Sequence, residues 1–360
     1  MVKKLLNKFF YGLLVLWGVV TLVFFLFNVL PGDPARMMLG QRADLKTVEI
    51  IRTELGLDQS LSKQYIRYLN DLSPLSVYNT ADAESYFYFS DLKYGKHVKL
   101  IPIGKKVSLF LKTPYFGMSY QNKTSVGQMI ADVLPNTFIL ALTAMLLASV
   151  IGIFMGTLCA IWKDTWFDRL TLVISTVGVS LPSFFTAILF GWFFAFVLAD
   201  QTGLNLTGNL YEIDDFGNGR TLVLKNLILP AVTLGIRPLS IIIQLSRNSL
   251  LDVLNQDYIR TARAKGLSFP AVIRKHALRN SMNPIVTAIS GWFASLMAGV
   301  VFIEYIFGWK GLGYLIVNAL NQYDMPVVLG AVITIAALFV VINILVDVVY
   351  VLLDPRIREL

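Results

Sequence analysis

Few side chains in this sequence are of a kind that does chemistry, and their spacing narrows the options further. The two histidines, His97 and His276, stand far apart, and the single cysteine, Cys159, falls inside an apolar run. Haem, zinc and iron–sulfur centres lack a ligand cluster, and an internal disulfide has no second thiol. No nucleophile and base can be read around His276, and a surface or contact role accounts for a lone histidine on a basic helix. What remains is the chemistry of polar groups placed within apolar stretches. Arg237 sits about ten residues into one such stretch, near its middle, where a cation is costly unless it faces protein or water. It can meet a substrate carboxylate or an acidic group of a partner, or form a structural pair or snorkel. Thr176, Ser180, Ser183 and Ala187 recur at 4-3-4 spacing, a small and weakly polar face that suits tight helix packing or the lining of a path, with packing the simpler reading. Asn343 and Asp347 share a face near the end of the last run, where structural hydrogen bonding explains them better than proton relay. Glu304 stands near the end of another run, where solvation suffices, and is assigned no role.

The elements that must hold these residues are apolar. Of 360 residues, 56% are hydrophobic and 15% charged, against roughly half and a quarter in a soluble protein. The excess gathers into six runs: Phe9–Leu30, Asn136–Trp162, Leu170–Leu198, Leu227–Leu245, Ile285–Phe307 and Val327–Leu353. The predicted fold class is an all-α polytopic membrane protein with six transmembrane helices. The first run follows Lys3, Lys4 and Lys8 and resembles an uncleaved signal-anchor. On the side of the N-terminus the connections carry three basic residues in 1–8, two in 163–169, seven in 246–283 and two in 354–360, whereas the short connections opposite hold only Arg220, Lys225 and Lys310. Positive charge marks the cytoplasmic side, so both termini are expected in the cytoplasm of a multi-pass membrane protein. The net charge of +8 belongs to membrane flanks, and a nucleic-acid partner is set aside.

This order divides the chain into residues 1–30, the cytoplasmic N-terminus and first helix; 31–135, an extracytoplasmic segment; 136–353, a five-helix core with a cytoplasmic loop at 251–283; and a tail at 354–360. Within the outer segment, Leu45, Val48, Ile51 and Leu55 predict a helix over 45–57 and a second follows at 61–72. Val98–Ile103 and Val107–Leu111 can pair about Gly104-Lys105 in a type II′ turn, although Pro102 weakens the first strand.

The most informative stretch is the loop from Tyr258 to Asn280. Gly266 can close one helix in the left-handed conformation, Ser268 can cap the next, and Pro270 fits its first turn. Arg274, Lys275 and Arg279 then fall at the negative end of the second helix, whose apolar stripe is Phe269, Val272, Ile273 and Ala277. Such an elbow packs on its own spans, on the bilayer or in a groove of another protein. The wording Tyr-Ile-Arg-Thr-Ala-Arg-Ala-Lys-Gly-Leu followed by His-Ala-Leu-Arg-Asn resembles the cytoplasmic loop of ATP-binding-cassette importer permeases, in the oligopeptide/dipeptide branch. Ala262, Gly266 and Leu278 match the general loop pattern, whereas Arg260, Thr261, His276 and Arg279 depart from it.

Leu30-Pro31-Gly32-Asp33-Pro34, Leu134-Pro135-Asn136-Thr137, Leu229 to Gly235, Gly311-Leu312-Gly313 and the stretch from Asn343 to Arg358 resemble the same branch in order and spacing. Residues 76–113 read as an insertion, either extending the surface that receives a delivery protein or simply tolerated. The resemblance implies an importer-type permease fold and, as partners, a second homologous permease, two cytoplasmic ATPase subunits, an extracytoplasmic substrate-binding protein and the bilayer. No Gly-x4-Gly-Lys-Ser/Thr loop occurs, so ATP and magnesium are expected on the ATPase subunits and the chain is not itself an enzyme. It implies an ATPase-coupling loop of Ala262, Gly266, Phe269, Ile273 and Ala277, to which the residue reading adds Arg237, Ser180 and Ser183 as the candidate path. Peptides are the expected cargo, with nickel complexes or oligosaccharides as alternatives in the same class. An ion-gradient-driven secondary transporter would need paired repeats and ionisable relays, and an intramembrane hydrolase a midplane nucleophile and base; neither pattern is read here.

Overall fold

The computed structural model describes residues 2–29, 44–82, 85–213 and 219–353. The Leu30-to-Pro34 motif, the tail 354–360 and the side chain of Asp347 lie outside that description. In chain order, α1 (Val2–Val29) is the first long apolar helix. α2 (Leu45–Leu55) ends at Gly56, whose φ of 70° is readily adopted without a Cβ, and α3 (Leu61–Leu72) follows. β1 (Leu75–Asn79), the single turn α4 (Asp91–Tyr94), β2 (His97–Ile103) and β3 (Val107–Lys112) come next. α5 (Val126–Ile161) takes in Pro135, so this helix starts well before Asn136.

The third apolar run is two helices, not one. α6 (Trp166–Ser180) and α7 (Ser183–Trp192) meet at 112° across Leu181-Pro182. Pro182 has no N–H to continue the ladder and disfavours helical geometry in the residue before it. A hairpin of β4 (Tyr211–Ile213) and β5 (Arg220–Leu222) leads to α8 (Lys225–Leu254), which runs through both Pro230 and Pro238. The chain continues through α9 (Asp257–Ala264), α10 (Phe269–Val272), a π-helical turn at Ile273–Ala277, α11 (Leu278–Gly299), α12 (Val301–Ile306), α13 (Leu312–Asn321) and α14 (Met325–Leu353). Among the described residues, four helices are long and apolar enough to cross a bilayer, and the bent α6–α7 pair makes a fifth if taken as one span. The run Ile285–Phe307 is helical, divided between α11 and α12, but is not among them.

The chain forms two compact units. One comprises the described residues within Met1–Gly12, Val133–Tyr314 and Ile335–Leu360. Its core joins Leu140, Ala144 and Ala148 of α5 to Leu234 and Ile242 of α8 and to Ile285 and Met297 of α11. Small residues allow the close approach: a Cβ on Gly156 would stand 2.6 Å from the Ile243 carbonyl oxygen.

The other unit comprises Leu13–Asp132 and Leu315–Thr334. Here α3 lies against α1, with the Tyr65 hydroxyl 2.6 Å from Thr21 Oγ1 and the Phe24 ring 5.2 Å from that of Tyr65. The sheet is antiparallel in the order β1-β3-β2, so β2 is an edge strand and tolerates Pro102. Ile103 pairs with Val107, which makes the hairpin loop three residues, Gly104-Lys105-Lys106, instead of the two-residue turn expected. On one face Tyr78 and Phe110 pack with Phe89 and Tyr94. The other face is aliphatic and largely exposed: Leu75, Leu111 and Val98 form one cross-strand row, and Val77, Leu109 and Ile101 the next.

Candidate functional site

The elbow expected to meet an ATPase is built by a glycine turn between two short helices. At Gly266 φ is 80°, and its N–H bonds the Arg263 carbonyl at 2.9 Å, closing α9 as a left-handed cap requires. Ser268 occupies the N-cap position without a side-chain capping bond, and Pro270 lies in the first turn of α10. The second helix does not end near Asn280. The backbone passes from α10 through the π-helical turn into α11 with helical torsions throughout. Arg274, Lys275 and Arg279 therefore lie within a continuing helix rather than at a negative helix end, and dipole stabilisation does not apply to them.

The five elbow residues divide by burial. Ala262, Ile273 and Ala277 are buried with Ala160 at the end of α5, Leu250 of α8, Ile259 and Val272. They root the elbow in its own helices, and Val272, expected on the same stripe, is fully buried with them. Gly266 and Phe269 lie on the exposed side, where residues 263–270 form an unbroken accessible knob. The Arg263 guanidinium stands 5.2 Å from the centre of the Phe269 ring, a cation–π contact that holds an exposed aromatic in place.

The path residues converge on the α6–α7 break. A helix end leaves its last carbonyls without intrahelical donors, and Arg237 Nε donates to the Val179 carbonyl at 3.4 Å. Ser180 Oγ donates back to Thr176 O at 2.9 Å, and Ser183 opens α7. The small-residue face divides at the break, with Ala187 fully buried in the core and Ser183 partly buried. Thr176 and Ser180 are exposed, whereas the buried small residues of α6 are Thr171, Ser175 and Gly178, the last against Ser240 of α8. The break also interrupts the helical phase, so the 4-3-4 spacing does not describe one face of one helix. Arg237 is exposed on α8, the same helix that carries Leu250 into the elbow root, roughly 20 Å away at 1.5 Å per residue.

Two polar clusters escaped the sequence reading. Asp168, 1% exposed, receives Arg247 Nε at 2.6 Å and Nη2 at 2.7 Å, a bidentate pair that ties α6 to α8. Glu304 is fully buried rather than solvated: it accepts from Thr137 Oγ1 and from the Gly313 N–H, both at 2.7 Å, so that its carboxylate caps the start of α13. A Cβ on Gly311 would collide with that carboxylate, which explains the glycine. In the last span Asn343 Nδ2 donates to Phe339 O at 2.8 Å.

In the other unit a buried carboxylate organises the sheet. Asp71 accepts from the hydroxyls of Tyr78 and Tyr94, each at 2.8 Å, and pairs with Lys93 at 3.2 Å, while Lys112 Nζ donates to the Asp71 carbonyl. Burial pushes the Lys112 ammonium down to about 8, against the pull of Asp71. Burial, reinforced by Asp71, raises the Tyr115 hydroxyl to about 12 and those of Tyr78 and Tyr94 further still. Among the described residues, no three His, Cys, Asp or Glu side chains are grouped to hold a metal ion.

An elbow rooted on membrane-length helices, a sharply bent helix pair and a core of close-packed α-helices define a polytopic helical membrane protein. The chain belongs to the family described as the binding-protein-dependent transport system inner membrane component, matched over residues 148–359, with the family's N-terminal component matched over residues 1–84. It is 32% identical over 358 residues to the glutathione transport system permease protein GsiC of Shigella flexneri serotype 5b, covering 99% of this chain and 98% of the relative. It is also 32% identical to the dipeptide transport system permease protein DppB of Alkalihalophilus pseudofirmus, covering 96% of each. Over 63% of this chain and 97% of the other, the fold is similar to that of a chain from a solved inward-facing MetNI methionine ABC transporter, with a TM-score of 0.50 at 16% identity. The protein is thus a multi-pass permease component of an importer, a transport subunit and not an ATP-hydrolysing one.

Proposed function

We propose that this chain and a second, homologous permease line a path for di- or oligopeptides across the inner membrane. A pair of cytoplasmic ATP-binding-cassette ATPases binds ATP and magnesium and drives the cycle, and an extracytoplasmic binding protein delivers the cargo. The chain crosses six times with both termini in the cytoplasm, which the distribution of lysine and arginine supports. Kinship with glutathione and dipeptide permeases supports peptides over nickel complexes or oligosaccharides.

The observation that carries the mechanism is the split elbow, with its tip exposed at Gly266 and Phe269 and its root buried at Ala262, Ile273 and Ala277. A groove on an ATPase receives the tip. Because the root packs on α8, closure of the ATPase pair tilts that helix as a rigid lever. Arg237 rides on the same helix and holds the Val179 carbonyl at the bent span. Tilting separates them and frees the guanidinium for a peptide carboxylate, while Ser180 and Ser183 line the opening. Uptake of a labelled dipeptide and tripeptide into proteoliposomes holding the full set of subunits tests this reading. Import competed by unlabelled peptides supports it, and import competed only by a nickel complex or an oligosaccharide replaces the cargo.

A further inference from the structure

The sheet in the outer segment has two unlike faces. One is closed by the Tyr78–Phe89–Phe110 cluster and Asp71. The other presents its cross-strand rows of leucine, valine and isoleucine largely uncovered by the described residues, with Val98 59% and Ile101 58% exposed. A contiguous aliphatic patch of this kind marks a surface that meets something apolar.

We propose that this face docks on the outer leaflet of the bilayer, with lysines at both ends of β2 engaging anionic lipid headgroups. The inference rests on the extracytoplasmic placement of residues 31–135 proposed above. Four observations converge on lipid. First, the module is held at membrane level: α3 contacts α1 at Thr21 and Phe24, inside the apolar window Leu6–Leu26, and Asn70 of α3 exchanges two 2.9 Å hydrogen bonds with the Val77 backbone of β1. Second, the charge is complementary to anionic lipid: residues 85–123 contain seven lysines, one aspartate and no arginine. Lys93 and Lys112 are taken up around Asp71, but Lys96 before β2 and Lys105 and Lys106 after it are exposed. Third, the face carries no aromatic, methionine or arginine, the residues that protein interfaces concentrate, while its rim is lysine, which they deplete. Fourth, residues 85–147 fall between the two family matches, so neither family match includes β2 and β3.

The test uses the full chain expressed with its partner subunits in nanodiscs, in a Cys159→Ala background. A bimane is attached at Ile101→Cys on the aliphatic face, at Lys99→Cys on the opposite face of the same strand, or at Leu22→Cys in α1 as the reference for lipid contact. In bilayers containing phosphatidylglycerol with brominated acyl chains, the labels at Ile101 and Leu22 are expected to be quenched several-fold and the one at Lys99 to stay bright. Reversing Lys105 and Lys106 to glutamate is expected to remove the extra quenching at Ile101 that phosphatidylglycerol gives over phosphatidylcholine. A bright Ile101 label beside a quenched Leu22 label overturns the docking and leaves the permease reading standing. Shielding of Ile101 only when the binding protein is added also overturns it, in favour of a protein occupant. An unquenched Leu22 label overturns the placement of α1 in the bilayer and the docking with it.

Discussion

At the scale of single residues, the firmest contacts are polar ones that cross from helix to helix. The Asp168–Arg247 pair is shielded, with Arg247 14% exposed at its side chain, so removing one partner strands the other. Asp168→Asn is expected to destabilise the detergent-purified chain by about 3 kcal/mol, read as a lowered unfolding temperature. Glu304→Ala leaves Thr137 and the Gly313 N–H without their acceptor, a loss of about 1–3 kcal/mol per stranded group. Neither cluster was legible in the sequence, because Thr137 and Glu304 are separated by 167 positions and nothing local betrays such a partner. In the outer module Lys112 titrates near 8 when folded but near 10.5 when unfolded, so the unfolded chain binds more protons between those values and stability rises with pH across them. Tyr115 titrates near 12 when folded and near 10 when unfolded, which reverses the trend above pH 10. Stability of the module, followed by tyrosine fluorescence in denaturant, is therefore expected to rise from pH 8 to about 10 and then fall. Lys112→Met should shrink the rise to the part left by Lys93, whose ammonium is also pushed down by burial, and keep the fall.

At the scale of elements, tip and root of the elbow respond differently to substitution. Phe269→Ala removes a half-exposed ring and its cation–π contact with Arg263 and is expected to cut peptide-stimulated ATP hydrolysis by the assembled complex several-fold with the unfolding temperature little changed. Ile273→Asp buries a carboxylate among Leu250, Ile259 and Val272 and is expected to abolish accumulation of folded chain. The glycine turn was legible because Gly266 and Pro270 constrain the backbone whatever surrounds them. The course of the second helix was not: no glycine stands between Phe269 and Asn280, so nothing stops it, and it runs on into the span. Pro182 interrupts the helical ladder whatever surrounds it, but the 112° bend and the division of the small-residue face depend on how α6 meets α8. The outer hairpin was legible in its strands, while its three-residue loop depended on a register slip near Leu100.

At the scale of the whole molecule, composition alone established a polytopic helical protein, and the motifs in sequence order established the permease family. The cargo is written in neither, since an open path has no ligand-shaped signature in a single sequence. The proposed lever from the elbow to the bent helix pair makes one demand on the assembly: force enters only through the exposed tip. The decisive measurement is ATP hydrolysed and labelled dipeptide imported, taken together in proteoliposomes bearing all subunits, with and without an ionophore and with Phe269→Ala in parallel. Import that requires hydrolysis, ignores the ionophore and falls together with hydrolysis in the variant is the expected result. Import that continues without nucleotide, or stops when the ion gradient is dissipated, would contradict it.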